Sequence, residues 1–141
     1  MPPDDLESAI EQSHFALSEI VKGNVEPFLS LYSERDDVTI GNPFGSFARG
    51  RQKVAEAGTG AAARYREGEI VGFESVARHV TSDLACVVEV ERFKAKVGGS
   101  DELATIALRV TSIFRNEGGT WKLVHRHADP ITTPQAPESA L

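Results

Sequence analysis

The sequence changes its hydrophobic pattern at Gly68. Before this residue, apolar side chains recur at helical spacing, and the pattern predicts three helices that begin near residues 6, 25 and 50. After it come long segments rich in Val, Ile, Thr and Phe, separated by turns that contain Gly, Asp or Asn. Four antiparallel strands are predicted there, over 69–81, 84–96, 102–115 and 121–129. Helices followed by a run of strands indicate an α+β fold, in which the helices cover one face of a curved sheet. The open end of such a sheet is a natural site for a small molecule.

Local signals define the first half of the chain more closely. Asp4-Asp5 offers a capping carboxylate to the first helix, and Gly23-Asn24 ends that helix. The second helix is predicted over 25–32 and the third over 50–65, with a short strand at 38–40 between them. That strand runs into the loop Gly41-Asn42-Pro43-Phe44-Gly45, where Gly and Pro prevent regular structure from continuing.

The bulk composition excludes several classes of function. A length of 141 residues fits one domain, predicted over 1–130 with a loosely ordered tail over 131–141. The net charge of −6 argues against a nucleic-acid partner, because phosphate binding needs a cationic surface. No apolar run approaches the length of a membrane span, and the N-terminus lacks the features of a signal peptide, so we expect a cytoplasmic protein without membrane contact. A single cysteine, Cys86, excludes an internal disulfide.

The last two predicted strands concentrate the chemistry-bearing side chains. Strand alternation places five residues on one face of the final strand: Trp121, Leu123, His125, His127 and Asp129. A five-residue turn over 116–120 would pair the two strands as Arg115–Trp121, Ile113–Leu123, Thr111–His125 and Arg109–His127. Closure of the turn with a different length would reverse the faces.

This hairpin has two interpretations. In the first it is a wall of a binding pocket, and in the second it is a cross-strand ladder of salt bridges or a dimer interface. Glu89 and Glu91 share a face of an earlier strand and offer carboxylates to an arginine of a neighbouring strand, although the turn at Gly98-Gly99 leaves their relation to Arg109 undecided. The pocket interpretation predicts six ligand-binding residues on the strands: Glu89, Glu91, Arg109, Thr111, Trp121 and His125. Tyr32 and Phe44 are either packing residues alone or packing residues that also line the pocket and contact the ligand.

The histidines have more than one possible role, and the sequence gives no motif for a cofactor. His14 lies at the edge of the apolar stripe of the first helix, where it is either a core histidine or a catalytic one. The spacing of His125 and His127 is compatible with metal ligation, but no third ligand is evident, and no metal is predicted. The sequence also has no phosphate loop or dinucleotide fingerprint, so no cofactor is expected.

Residues 6–130 resemble the nuclear-transport-factor-2-like (NTF2-like) superfamily, and within it the SnoaL-like and ketosteroid-isomerase-like branch. The resemblance rests on the order and spacing of the helix end at Gly23-Asn24, the Phe28–Tyr32 segment, the Asp37–Gly45 segment, Gly50-Arg51 and the final hairpin up to Asp129. It implies a cone of three helices wrapped by a strongly curved, mixed but mainly antiparallel sheet with an internal pocket. It also implies a homodimer formed through the sheet. Members are isomerases, dehydratases or cyclases, or they only bind ligands or hold assemblies together.

The chain departs from the steroid-isomerase pattern at two positions. Those enzymes carry an aspartate base before the proline of the loop, where this chain has Asn42. Asparagine cannot accept and return a proton at neutral pH, but as a ligand-binding residue it can orient a substrate or water by hydrogen bonds. They also use a tyrosine on the first helix, and that position falls at Phe15 or Ala16. The usual steroid isomerisation is therefore not expected.

Two functional hypotheses follow. In the enzyme hypothesis His127 is a base, Asp129 orients it, Arg109 holds an anionic group and His14 reaches in from the helix. The reaction would be proton abstraction beside a carbonyl, or dehydration, of a small polar or cyclic compound. The competing hypothesis is a non-catalytic domain that binds a small molecule or mediates assembly.

Overall fold

The computed structural model describes residues 5–141 and contains three helices that precede most of a six-stranded sheet. The helices are α1 (Leu6–Ile20), α2 (Glu26–Leu31) and α3 (Arg51–Ala62). The strands are β1 (Thr39–Gly41), β2 (Ala48–Arg49), β3 (Tyr65–Val80), β4 (Leu84–Val97), β5 (Leu103–Glu117) and β6 (Thr120–Asp129). The predicted third helix is therefore shorter than expected, and the strand after it begins earlier, at Tyr65.

The sheet order is β2-β1-β6-β5-β4-β3, and the pairing is antiparallel except between β1 and β6. Three register shifts in β3 are irregularities of the kind that bend a strand and increase its twist. The long strands curve around the helices, and the sheet does not close. The predicted α+β class, with N-terminal helices against a mixed sheet, is confirmed.

The local signals around α1 act as the sequence indicates. Oδ1 of Asp5 accepts a hydrogen bond of 2.7 Å from the backbone N–H of Ser8, which caps the helix. Asp4 lies outside the described residues. Gly23, with φ of 95°, turns the chain beyond the helix end in a conformation that favours glycine. The apolar stripe of α1 faces the sheet, and its residues Ile10 and Leu17 are buried.

The β5–β6 hairpin differs from its predicted form. Its turn has only two residues, Gly118 and Gly119, whose φ values of 65° and 97° suit a tight hairpin turn that only glycine adopts easily. An extra residue, Val124, lies between the paired positions Phe114–Leu123 and Ile113–His125. The predicted register is therefore wrong. The observed pairs include Arg115–Lys122, Asn116–Trp121, Ile113–His125, Thr111–His127 and Arg109–Asp129.

The core lies between the helices and the concave face of the sheet. Phe93 and Phe114 are the largest fully buried side chains, and they come from β4 and β5 at the centre of the sheet. Ile10 packs into the same cluster from α1. In the described part of the chain no helix is long and apolar enough to cross a membrane. Residues 131–141 are exposed and contain only a short 3-10 turn, Pro137–Ala140, and the predicted domain boundary at 130 stays a prediction.

Gly68 is the point where β3 meets the end of α1. Its N–H donates to the Val21 carbonyl at 2.9 Å, and a Cβ at this position would lie 2.6 Å from Cβ of Val21 and still closer to its carbonyl oxygen. We expect Gly68→Ala to lower the free energy of unfolding by about 1–3 kcal/mol, because backbone must shift to admit the methyl group. Urea unfolding measures the change.

Gly72, on the same strand, is the matched control. A Cβ there meets nothing within 4 Å, so Gly72→Ala is expected to be neutral or to stabilise the fold by up to about 1 kcal/mol. Equal losses in the two variants would contradict the close-approach explanation.

Candidate active site

An apolar cavity opens between the helices and the concave face of the sheet. Its volume is about 40 Å³, or about 420 Å³ when the space open to solvent at its mouth is included. Most of its wall is apolar, and three residues bring polar groups to it, namely Asn42, Tyr65 and Arg126. The other lining residues are Leu17, Ile20, Phe28, Ile40, Pro43, Phe44, Gly58, Ala61, Phe93, Leu108 and Ala128. A wall of this kind suits a small, largely apolar molecule.

Arg126 reaches the cavity because of the extra residue in β6. After Val124 the alternation restarts, so Arg126 and Ala128 face inward with Leu123, opposite to the face predicted for site residues. Two hydrogen bonds of 2.8 Å join Nη1 and Nη2 of Arg126 to the two carboxylate oxygens of Glu91. The exposed fractions of the two side chains are 13% and 3%. This is a bidentate, largely desolvated ion pair.

Tyr65 is the polar group of the wall that sequence analysis missed. The residue was assigned to the end of the third helix, but it begins β3 and is only 6% exposed. Its ring packs edge-on against Phe93, with 5.4 Å between ring centroids. Tyr65 lines the cavity, and within residues 5–141 its hydroxyl has no hydrogen-bond partner and is not fully enclosed.

Burial raises the pKa of both tyrosines of this chain, Tyr32 and Tyr65. Their neutral forms are favoured in the folded state, so this contribution to stability is complete below pH 10, the ordinary value, and is lost as the pH rises above it. We therefore expect alkaline unfolding and tyrosine ionisation to coincide. Absorbance at 295 nm and circular dichroism, recorded over one pH titration, measure the two events. Ionisation near pH 10 in a still folded protein would contradict the burial of these phenols.

Asn42 holds the loop at the mouth of the cavity. Its Nδ2 donates to the Ala57 carbonyl at 3.2 Å, and its Oδ1 accepts from the Phe44 N–H at 3.0 Å. Phe44 in turn lines the cavity and lies 5.7 Å from the Tyr65 ring, centroid to centroid. The structure thus brings these two predicted ligand-binding residues to the cavity, with the amide of Asn42 tying the loop to α3.

Glu89 and Glu91 point inward from β4, on the one face that alternation predicted. Their partners come from elements distant in sequence. Glu91 binds Arg126, and Oε2 of Glu89 lies 2.7 Å from Nε2 of His14 on α1. The His14 ring is stacked on Phe73 with 3.7 Å between centroids, which fixes its orientation. His14 and Glu89 do not line the cavity. His14 lies about one helical turn before the lining residue Leu17, and Glu89 lies two residues before Glu91, the partner of the lining residue Arg126.

Arg109, His127 and Asp129 of the hairpin lie on the convex face of the sheet. Nε of Arg109 donates to Oδ1 of Asp129 at 2.7 Å, and Nε2 of His127 lies 3.5 Å from Oδ2 of the same carboxylate. The group predicted as base, orienter and anion binder is therefore assembled, but away from the cavity. Hydrogen bonds from Arg109 and from the Ile131 N–H outweigh the effect of partial burial and hold the pKa of Asp129 below its usual value.

Two more predicted residues stand beside this group. Thr111 pairs with His127, and Nδ1 of His125 is 2.7 Å from Oγ1 of Thr39. Burial, together with the charge of His127, lowers the pKa of His125. The exposed Phe47 ring lies near His127, at 5.9 Å between centroids, and forms with it a shallow recess beside the cavity loop. Catalysis by His127 and Asp129 stays a prediction, one that would act at this recess.

Tyr32 and Trp121, two of the predicted ligand-binding residues, contact the protein core rather than the cavity. The buried Tyr32 hydroxyl donates to the Thr39 carbonyl at 3.0 Å, and Trp121 is half-buried against the core. Neither residue lines the cavity. Among residues 5–141 no three His, Cys, Asp or Glu side chains are grouped as metal ligands.

The sequence profile of the SnoaL-like domain matches residues 7–132, nearly the whole chain. The chain belongs to the SnoaL-like family. No curated protein matches the sequence.

Solved structures support the fold of this SnoaL-like protein. A ketosteroid isomerase-like protein from Erwinia carotovora aligns with a TM-score of 0.75 at 15% identity, over 91% of this chain and 95% of the other. An NTF2-like protein from Streptomyces avermitilis, provisionally assigned as a dehydratase, aligns with a TM-score of 0.71 at 23% identity, over 89% and 96%. An NTF2-like superfamily protein from Salmonella enterica aligns with a TM-score of 0.73 at 15% identity, over 93% and 92%. At these identities the similarity establishes the NTF2-like fold, and the activity must be argued from the site.

Proposed function

We propose that the SnoaL-like cone binds a small, largely apolar molecule in its internal cavity, through a hydrogen bond donated by Tyr65. The observation that carries this proposal is the Tyr65 hydroxyl, which faces an apolar cavity without a partner in residues 5–141. Burial raises its pKa, so at neutral pH it is a donor. A ligand with an acceptor atom would satisfy this donor while its apolar part contacts the surrounding wall.

Cavity-filling and hydrogen-bond variants test the proposal. Benzamide and benzoate serve as probes, followed by chemical-shift changes in two-dimensional NMR spectra. Ala61→Leu fills the cavity and is expected to abolish probe binding, whereas Ala63→Leu, on an exposed residue outside the lining, should leave it unchanged. Tyr65→Phe is expected to weaken binding by a factor of about 3–10, the net value of one hydrogen bond. Equal binding to wild type and Ala61→Leu would refute the proposal, as would the failure of both probes to bind.

Acid–base catalysis is a second candidate, favoured by the His14–Glu89 pair. Glu89 orients Nε2 of the imidazole, Phe73 fixes its plane, and no partner of Nδ1 is found among the described residues. A histidine held by a carboxylate with its second nitrogen available is suited to proton transfer. The proposed reaction is proton abstraction beside a carbonyl, as in isomerisation or dehydration.

Exchange of the α-protons of cyclohexanone in D₂O, followed by NMR, tests this candidate without knowledge of the natural substrate. Exchange above the buffer rate should be lost in His14→Gln and retained in His79→Gln, an exposed histidine of β3. Loss in His127→Gln alone would transfer the role to the hairpin group. No exchange above the buffer rate would count against the candidate.

We also propose a homodimer formed through the convex face of the sheet. Val88, Val90 and Ile113 lie on this face, where their apolar side chains remain partly accessible to solvent and available to a second copy. Ile113→Arg should lower the mass measured by analytical ultracentrifugation from dimer to monomer, while Glu11→Arg on α1 should not. A monomeric wild-type protein at micromolar concentration would refute the dimer.

A further inference from the structure

The charge of the cavity wall is already neutralised from within the protein. Arg126 is the cationic residue of the lining, and its two terminal nitrogens are both bound to the Glu91 carboxylate. A fork-to-fork pair of this geometry uses the guanidinium edge that would otherwise bind a ligand carboxylate. Glu89 adds a second buried carboxylate two residues away on the same face of β4.

An anionic ligand would therefore find no free positive charge among the described residues that line the cavity. It would lose its hydration, and the Arg126 charge that could compensate for this loss is already bound to Glu91, in a region where charges are poorly screened. Arg64 lies near the mouth, with Cζ 4.8 Å from the Phe44 ring centroid, but it is exposed to solvent and is not part of the lining. A neutral carbonyl group incurs neither penalty and accepts a hydrogen bond from Tyr65 equally well.

We propose that the cavity selects uncharged ligands, such as small neutral amides, ketones or esters, and that Glu91 is the residue that excludes carboxylates. This inference rests on the proposed function, since it concerns the same cavity. It assigns to the Glu91–Arg126 pair a role in specificity that a purely structural ion pair would not have.

Benzamide and benzoate test the inference because they differ in charge but hardly in shape. In the wild-type protein at pH 7 we expect benzamide to bind at least about tenfold more tightly than benzoate, which corresponds to about 1.4 kcal/mol. In Glu91→Gln the guanidinium is no longer neutralised, so the affinity for benzoate should rise about tenfold or more and the preference should shrink or reverse. Glu74→Gln is the matched control, because Glu74 is an exposed carboxylate paired with Arg92 outside the cavity, and its ligand preference should equal that of the wild type.

The outcomes separate this inference from the function on which it rests. If both probes bind the wild-type cavity equally, or benzoate binds more tightly, the selectivity is refuted while the proposed binding site stands. If neither probe binds, the binding site itself is refuted. The comparison of the two probes in wild type needs no variant, so it tests the selectivity even if Glu91→Gln does not fold. A folded Glu91→Gln protein with the wild-type preference would refute the role of Glu91.

Discussion

Arg126→Met is expected to lower the free energy of unfolding by about 3–5 kcal/mol, because it leaves the buried Glu91 carboxylate without its partner. Methionine nearly preserves the volume of the arginine stem, so lost packing contributes little. A loss of this size is a large part of the roughly 5–15 kcal/mol that stabilises a typical domain. Urea unfolding at pH 7 measures it.

Two further variants test whether the loss of stability comes from the unpaired buried charge of Glu91. Arg109→Met removes an arginine of the neighbouring strand whose ion pair with Asp129 is on the convex face, and it should cost less than about 1 kcal/mol because that side chain is exposed. Glu91→Gln added to Arg126→Met should restore much of the lost stability, since it removes the stranded charge. If the two arginine variants were equally stable, the interior position of Arg126 would be wrong.

Phe93→Ala is expected to destabilise the protein by about 3–5 kcal/mol, the usual cost of removing a buried ring and leaving a void. Phe93 is 0% exposed, lies on the inner strand β4 between β5 and β3, and packs edge-on against Tyr65. The void would adjoin the cavity, so larger probes than benzamide should gain affinity in this variant.

Phe47→Ala is the control for ring size. Phe47 is 69% exposed, and its loss should change the free energy of unfolding by less than about 1 kcal/mol. Thermal and urea unfolding of the two variants should differ clearly. A Phe93→Ala protein as stable as wild type would mean that the core is not centred on β4.

The strong periodic patterns of the sequence predicted the element types well. The long strands after Gly68 and the buried stripe of α1 follow directly from alternation and helical spacing. The same alternation correctly put Glu89 and Glu91 on one face of β4, where no register shift intervenes between them. Two-residue β2 carries too short a pattern to be recognised.

The predicted register of the β5–β6 hairpin is wrong because the length of its turn and one extra residue determine which side chains face inward. A two-residue turn at Gly118-Gly119 replaced the expected five-residue turn, and the extra residue Val124 reversed the alternation within β6. Both glycines were visible in the sequence, but the position of a bulge depends on tertiary packing. Arg126 was thereby moved inward and His127 outward.

The sequence alone also could not identify the partners of the buried polar groups, because these partners are distant along the chain. His14 meets Glu89 across 75 residues, and Arg126 meets Glu91 across 35. The sequence pattern assigns Tyr65 to the third helix because the residue lies at the junction of a helix and a strand, where sequence patterns define element boundaries poorly. Asn42 and Phe44 line the cavity. The sequence indicated their loop because the resemblance to steroid isomerases assigns the base of those enzymes to the position of Asn42.

Intermolecular nuclear Overhauser effects between bound benzamide and the protein test the central claim most directly, because they locate the ligand. The cavity account expects contacts from the benzamide ring to the side chains of Phe44, Tyr65 and Phe93. Contacts to Phe47 and His127 on the convex side of the sheet, with none to Tyr65, would contradict it.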